Sequence, residues 1–84
     1  MLMYCLVTVN GLFSDNFVSR VKSLDKGVKD IFAVYGEFDF VITLSGVNAD
    51  KLTELVAKIK DLQEVNIASG LFVTDRTNKE DVVY

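Results

Sequence analysis

Tyr35-Gly36-Glu37-Phe38-Asp39-Phe40 is the stretch that decides the fold, because two apolar runs meet there across a turn. The run before it, residues 28–35, and the run after it, residues 40–45, are rich in β-branched and aromatic side chains, which favours two strands. Gly36 stands where the backbone must reverse, and a residue without Cβ adopts a positive φ at no steric cost. The stretch therefore predicts a β-hairpin.

Asp39 stands at the start of the second hairpin strand, a position where aspartate has poor strand propensity. Its carboxylate has two uses there. It either accepts hydrogen bonds from the N–H groups of the turn or faces a ligand. The residues alone leave both uses open.

Regular patterns on both sides of the hairpin supply the other elements. Residues 2–9 form a continuous aliphatic and β-branched run, which is typical of a central strand. Apolar side chains recur at helical spacing over residues 17–24 and 52–62. The hydroxyl of Ser14 is suited to cap the first of these helices. Two amphipathic helices are expected.

A last strand is predicted over residues 64–74, in which Gly70 indicates either a bulge or the close approach of another group. The order strand, helix, strand, strand, helix, strand predicts an α+β, ferredoxin-like βαββαβ fold. In that fold both helices lie on one face of a four-stranded antiparallel sheet. We expect one domain over residues 1–75 and a polar C-terminal tail, residues 76–84, whose end is apolar enough to pair as a short edge strand.

The second face of this sheet has no helix to cover it. Side chains alternate along a strand, so if Phe32 and Val34 point toward the helices, their neighbours point to the uncovered face. On this pattern the uncovered face receives Ile31, Ala33, Tyr35 and Val41. An uncovered face this apolar marks an interface, so we predict a dimer that packs sheet against sheet.

Composition narrows the class of protein. The 84 residues carry twelve acidic and nine basic side chains, a net charge of −3, so direct binding to a nucleic-acid backbone is disfavoured. The apolar N-terminal run is too short to span a bilayer, so no membrane association is expected. The single cysteine, Cys5, cannot form an intrachain disulfide, which fits the reducing cytoplasm.

Catalytic chemistry is not expected. The chain has no histidine, no metal-ligand spacing, no phosphate-binding glycine loop and no catalytic dyad, so we predict neither an enzyme nor a cofactor nor a metal site. Cys5 lies in an apolar strand and is interpreted as an inert core thiol, because a nucleophilic cysteine needs exposure and a basic partner.

The hairpin segment Val34-Tyr35-Gly36-Glu37-Phe38-Asp39-Phe40-Val41-Ile42 resembles the Gly-x-Tyr/Phe-Asp hairpin of the effector-sensing domain of the Lrp/AsnC (leucine-responsive, feast/famine) transcription regulators. Residues 28–30 and 62–66 resemble the family's segments before its second and last strands, and the similarity covers about residues 1–75. Because residue 1 already lies at the first strand, the chain resembles the stand-alone (RAM) form of the module, without the family's helix-turn-helix domain.

This resemblance implies a sheet-paired homodimer, a higher homo-oligomer, and an amino acid or related metabolite bound between dimers. It assigns the polar end of the ligand to Gly36 and Asp39. The lining positions that it carries over are Ala33, Gly70, Leu71 and Phe72. The implied function is amino-acid sensing and oligomerisation that regulate transcription, through association with full-length Lrp/AsnC regulators.

Two other functions stay open from the residues. An ACT-like allosteric regulatory domain shares this topology but binds its ligand at the loop after the first strand, which here is Asn10-Gly11-Leu12. A structural adaptor without a ligand needs only the uncovered sheet face. A small ferredoxin-like enzyme is disfavoured, since the chain offers only Arg20 and Arg76 for a phosphate-binding loop.

Overall fold

A computed structural model describes residues 1–10 and 16–73 of the chain. Its elements are β1 (Leu2–Val9), α1 (Asn16–Ser23), β2 (Val28–Ala33), β3 (Phe40–Ser45), α2 (Ala49–Lys60) and β4 (Val65–Val73). The predicted βαββαβ order is confirmed. The predicted helix cap at Ser14, the loop at Gly11 and the edge strand in the tail lie outside the described residues. No helix within the described ranges is long and apolar enough to cross a bilayer.

The four strands form one antiparallel sheet in the order β2-β3-β1-β4. β1 lies between β3 and β4, as its continuous apolar run predicts. Cys5, near the middle of β1, faces Ile42 on one side and Gly70 on the other. The two outer strands are β2 and β4.

The core lies between the helices and one face of the sheet. β1 directs Met3, Cys5 and Val7 to this face. The other buried apolar residues come from β3 and from both helices: Phe40, Ile42, Leu44, Phe17, Val21, Leu52, Leu55 and Ile59. Complete burial of each such aliphatic or aromatic side chain contributes roughly 1.5–3 kcal/mol of hydrophobic free energy.

The opposite face of the sheet is lined by the alternate side chains of each strand, and we call it the open face. Its apolar residues are Leu2, Tyr4, Leu6, Phe32, Val41, Ile67, Leu71 and Val73. Phe32, Ile67 and Leu71 are each about half exposed. No residue of β1, β3 or β4 carries a charge.

The prediction of which β2 side chains point toward the helices is wrong, although Val41 of β3 lies on the open face as predicted. Ile31 pairs with Ile42 and packs against the core, whereas Phe32 pairs with Val41 on the open face. The cause is a β-bulge. Val28 faces Leu44 and Asp30 faces Thr43, which leaves Lys29 as an extra residue that inverts the alternation after it.

Gly70 lies at a close approach and not at a bulge. A Cβ built on Gly70 would stand 2.8 Å from the Met3 sulfur and 3.3 Å from Cγ2 of Val56. The bulge of β4 falls earlier, where Thr8 pairs with Ile67 but Val9 pairs with Val65. Of the two expectations for Gly70, close packing is the one that holds.

Polar contacts fix the start of α2 and the turn before β2. The Asn48 side-chain oxygen accepts a hydrogen bond from the Lys51 N–H at 2.9 Å, which caps the helix. Asp25 accepts from the Gly27 N–H at 2.8 Å and from Nζ of Lys51 at 3.1 Å. These contacts, the Gly27 bond first, hold the pKa of Asp25 below its ordinary 3.8, so their stabilisation is present above that pH and is lost as the pH falls through the lowered pKa.

Candidate functional site

The hairpin turn connects β2 to β3 through residues 34–39. Gly36 has a φ of +124°, which favours glycine, and apart from Gly36 and its two chain neighbours no heavy atom of the described residues lies within 4 Å of the position that a Cβ would take. The Tyr35 side chain beside it is fully exposed. The backbone of the turn is therefore bare and open to an approaching molecule.

Asp39 joins the hairpin to the end of β1. Its N–H donates to the Val7 carbonyl at 2.8 Å, and its own carbonyl accepts from the Val34 N–H at 3.0 Å. Its Oδ2 accepts from the Val9 N–H at 2.9 Å. The Asp39 carboxylate thus caps the end of β1, whereas the use predicted from the sequence was to accept from the N–H groups of the turn itself.

The second carboxylate oxygen of Asp39, Oδ1, takes part in no hydrogen bond within residues 1–10 and 16–73. Capping and ligand contact are therefore compatible, because each can use a different oxygen. Thr8 lies between the two β1 residues that Asp39 binds, and its hydroxyl oxygen is buried without a partner in the described part of the chain. Nothing in the sequence singles out this threonine, since threonine is common in strands.

Ala33 is the last residue of β2 and pairs with Phe40 across the start of the hairpin. It is exposed, because β2 is an outer strand. Ala33, Gly36 and Asp39 thus lie together at one corner of the sheet.

Gly70, Leu71 and Phe72 lie on the opposite outer strand, β4. They pair with Cys5, Tyr4 and Met3, in the half of β1 away from the hairpin. Three strand-to-strand steps separate β2 from β4, a distance of roughly 14 Å. The six predicted ligand contacts therefore form two separate groups within one subunit.

A groove of about 530 Å³ lies along α1 and the turn before β4. It is lined by Asn16, Ser19, Arg20, Ser23, Leu24 and Leu62, and none of the predicted site residues belongs to it. Arg20 forms an ion pair with Glu64, which links α1 to the start of β4. No local sequence pattern indicates this groove, because its two sides are distant along the chain.

The described residues offer no group of three or more histidine, cysteine, aspartate or glutamate side chains able to hold a metal ion. Cys5 is fully buried. Burial raises the pKa of its thiol to about 11, although a hydrogen bond with the Ser69 backbone acts in the opposite direction. A thiol in this state is a weak nucleophile at neutral pH.

The fold is shared with solved structures of Lrp/AsnC (feast/famine) regulators. FFRP-DM1 superposes with a TM-score of 0.77 at 18% identity, and the match covers 87% of this chain and 97% of that one. A transcriptional regulator from Neisseria meningitidis in complex with L-methionine gives a TM-score of 0.78 at 16% identity, over 92% of this chain. A feast or famine regulatory protein from Mycobacterium tuberculosis, complexed with L-methionine, gives 0.69 at 19% identity, also over 92% of this chain.

The chain spans nearly the whole of FFRP-DM1 but only 51% and 55% of the two methionine-bound regulators. No protein-family model matches the chain, and no curated protein matches it by sequence. At these identities the likeness establishes the fold.

The capping role of Asp39 predicts different effects for two substitutions. Asp39→Ala removes the acceptor for the Val9 N–H and is expected to lower the free energy of unfolding by about 1 kcal/mol. Asp39→Asn keeps a side-chain oxygen there and is expected to stay near wild type. Urea denaturation of both variants measures the difference, and equal losses in the two would contradict the cap.

The raised pKa of Cys5 predicts a loss of stability at alkaline pH. Its contribution is complete below the ordinary pKa of 9.0 and is lost between pH 9.0 and about 11, because the unfolded chain releases the proton first. Other groups titrate in this range, so the measurement is the difference in unfolding free energy between wild type and Cys5→Ala as the pH rises. A difference that stays constant from neutral pH to pH 11 would show that the thiol is not held protonated.

Proposed function

We propose that this chain is a sensing and assembly domain that binds an amino acid at the Gly36–Asp39 hairpin and regulates transcription by associating with regulators of the same fold. The observation that carries the proposal is the match in fold, over 92% of the chain, to two regulators whose solved structures are complexes with L-methionine. Several neighbours are named as transcription regulators, which supports a role without catalysis.

The open face is the proposed surface for the homodimer. β1 and β3, at the centre of the sheet, carry no charged residue, and Tyr4, Leu6 and Val41 meet there. A small domain buries a modest fraction of its surface, so covering such a face with a second copy adds apolar burial that the monomer lacks. The same face on a full-length regulator is the proposed point of association with such partners.

The proposed ligand site begins at the hairpin. Oδ1 of Asp39 is available to accept from the ammonium group of an amino acid while Oδ2 keeps its bond to Val9. The open space beside Gly36 lets the ligand reach the backbone. Both features suit the polar end of an amino acid.

Gly70, Leu71 and Phe72 are proposed to line the site from another subunit. They lie at the far side of the sheet from the hairpin, so one subunit alone does not bring them to the same ligand. A site shared between subunits makes ligand binding and assembly depend on each other. That dependence is what the proposed sensor requires.

The ligand part of the proposal is tested by isothermal titration with L-methionine and then with the other standard amino acids. Wild type is expected to bind, and Asp39→Asn is expected to bind about tenfold or more weakly, because a charge-assisted hydrogen bond is lost while the cap is kept. Glu37→Gln, in the same hairpin, is the control for a general loss of charge and is expected to bind like wild type. Absence of heat with every amino acid would leave only the assembly role.

The assembly part is tested by placing a charge on the open face. Tyr4→Lys is expected to lower the average mass of the protein in sedimentation velocity at micromolar concentration, because the lysine must lose its water for the faces to meet. Val47→Lys is the matched control, since Val47 is exposed before α2 and lies off the sheet. If Tyr4→Lys and Val47→Lys sediment alike, the open face is not the interface.

A further inference from the structure

From Ile67 to Val73, β4 has no charged residue, proline or bulge of the kind that keeps edge strands from pairing. β4 runs for nine residues, Val65–Val73, without a proline or a charged residue, and β1 is its partner among the described strands. Natural edge strands are usually protected by lysine, proline, a bulge or short length. The bulge of β4 lies at its first residues, which leaves the segment from Ile67 to Val73 regular and its outer edge suited to pairing.

The sequence of β4 is nearly symmetric about Ser69, its central residue. Ile67 lies two residues before Ser69 and Leu71 lies two residues after it. Both are on the open face, where they are 55% and 53% exposed. The immediate neighbours of Ser69 are Ala68 and Gly70, and both are small. If two copies of β4 run antiparallel with Ser69 opposite Ser69, Ile67 meets Leu71 and Ala68 meets Gly70, whereas Asn66 and Phe72 form the one unlike pair.

We propose that β4 pairs with β4 of a second copy of this chain, antiparallel and about a twofold axis at Ser69. The partner is a second copy because the near symmetry of β4 makes the strand complementary to itself.

This pairing joins two sheets into one continuous sheet with the helices of both copies on the same side. Ile67 of one copy then contacts Leu71 of the second copy, and the two open faces become one surface. The pairing uses the backbone edge of β4, although Ile67 and Leu71 also belong to the open face, and it requires neither ligand binding nor packing of sheet against sheet.

A cysteine at the proposed axis tests the pairing directly. Residues directly opposite in an antiparallel pair have Cα atoms about 4.5–5.5 Å apart, within the range of a disulfide. Ser69→Cys is therefore expected to form a covalent dimer under mild oxidation, seen by non-reducing electrophoresis and mass spectrometry. Cys5 is fully buried and does not compete.

Thr43→Cys is the matched control, because Thr43 lies on the open face but on the inner strand β3. It is expected to cross-link much more slowly than Ser69→Cys. No covalent dimer from Ser69→Cys, or one formed no faster than with Thr43→Cys, would overturn the proposal. Adding Tyr4→Lys to Ser69→Cys should leave the cross-link in place, which separates failure of the open face from failure of the edge.

A charge exchange gives a second test without cysteine. Ser69→Glu and Ser69→Lys alone each place like charges opposite one another and are expected to weaken self-association about tenfold. A mixture of the two variants is expected to recover association, because glutamate then faces lysine. Ser69 is exposed, so both variants should fold, and circular dichroism checks this. A mixture that associates no better than its components would show that Ser69 does not lie on the axis.

Discussion

The position of β1 is the constraint on which the rest of the structure depends. It is hydrogen-bonded on both edges, to β3 and to β4, and its buried side chains Met3, Cys5 and Val7 lie beneath the helices. Alternation then sends Tyr4 and Leu6 to the opposite face. Helices of eight and twelve residues cover one side of a four-stranded sheet, so an apolar surface on the other side is a direct consequence of the topology.

The hairpin is bound to this same strand. Asp39 contacts Val7 through its backbone and Val9 through its carboxylate, so the position of the turn is fixed by the end of β1 and not only by the two strands that the turn connects. The exposed backbone at Gly36 therefore belongs to a loop whose position is fixed by contacts with β1. A ligand bound there does not have to order the loop first, which lowers the entropic cost of binding.

The sequence was sufficient for the fold but only partly sufficient for the site. Hydrophobic periodicity predicted β1 and β3 with the bounds they have, because neither strand contains an irregularity in its pairing with the other. The direction of the β2 side chains was not predictable, since the bulge at Lys29 shows no sequence signal and inverts every side chain after it.

Sequence also identified Gly36 and Asp39 as hairpin residues, but whether Asp39 caps or contacts a ligand depends on where the end of β1 lies. The groove along α1 and the buried hydroxyl of Thr8 arise from contacts between segments that are distant along the chain, so no local sequence pattern predicts them.

Of the three surfaces proposed for contact, the open face and the β4 edge adjoin at Ile67 and Leu71, and the hairpin lies at the other side of the sheet. When two copies pack open face against open face, the twofold axis that relates them lies parallel to the sheet. When two copies pair through β4, the twofold axis that relates them is perpendicular to the sheet. Two perpendicular twofold axes that intersect close a tetramer, and axes that miss each other build an open chain of copies. Within one copy the hairpin, which joins β2 to β3, lies at the other side of the sheet from β4. Because Gly70, Leu71 and Phe72 of another copy are proposed to line the ligand site, a ligand at the hairpin also contacts β4 of that copy. It changes the assembly only to the extent that it binds one arrangement of copies more tightly than another.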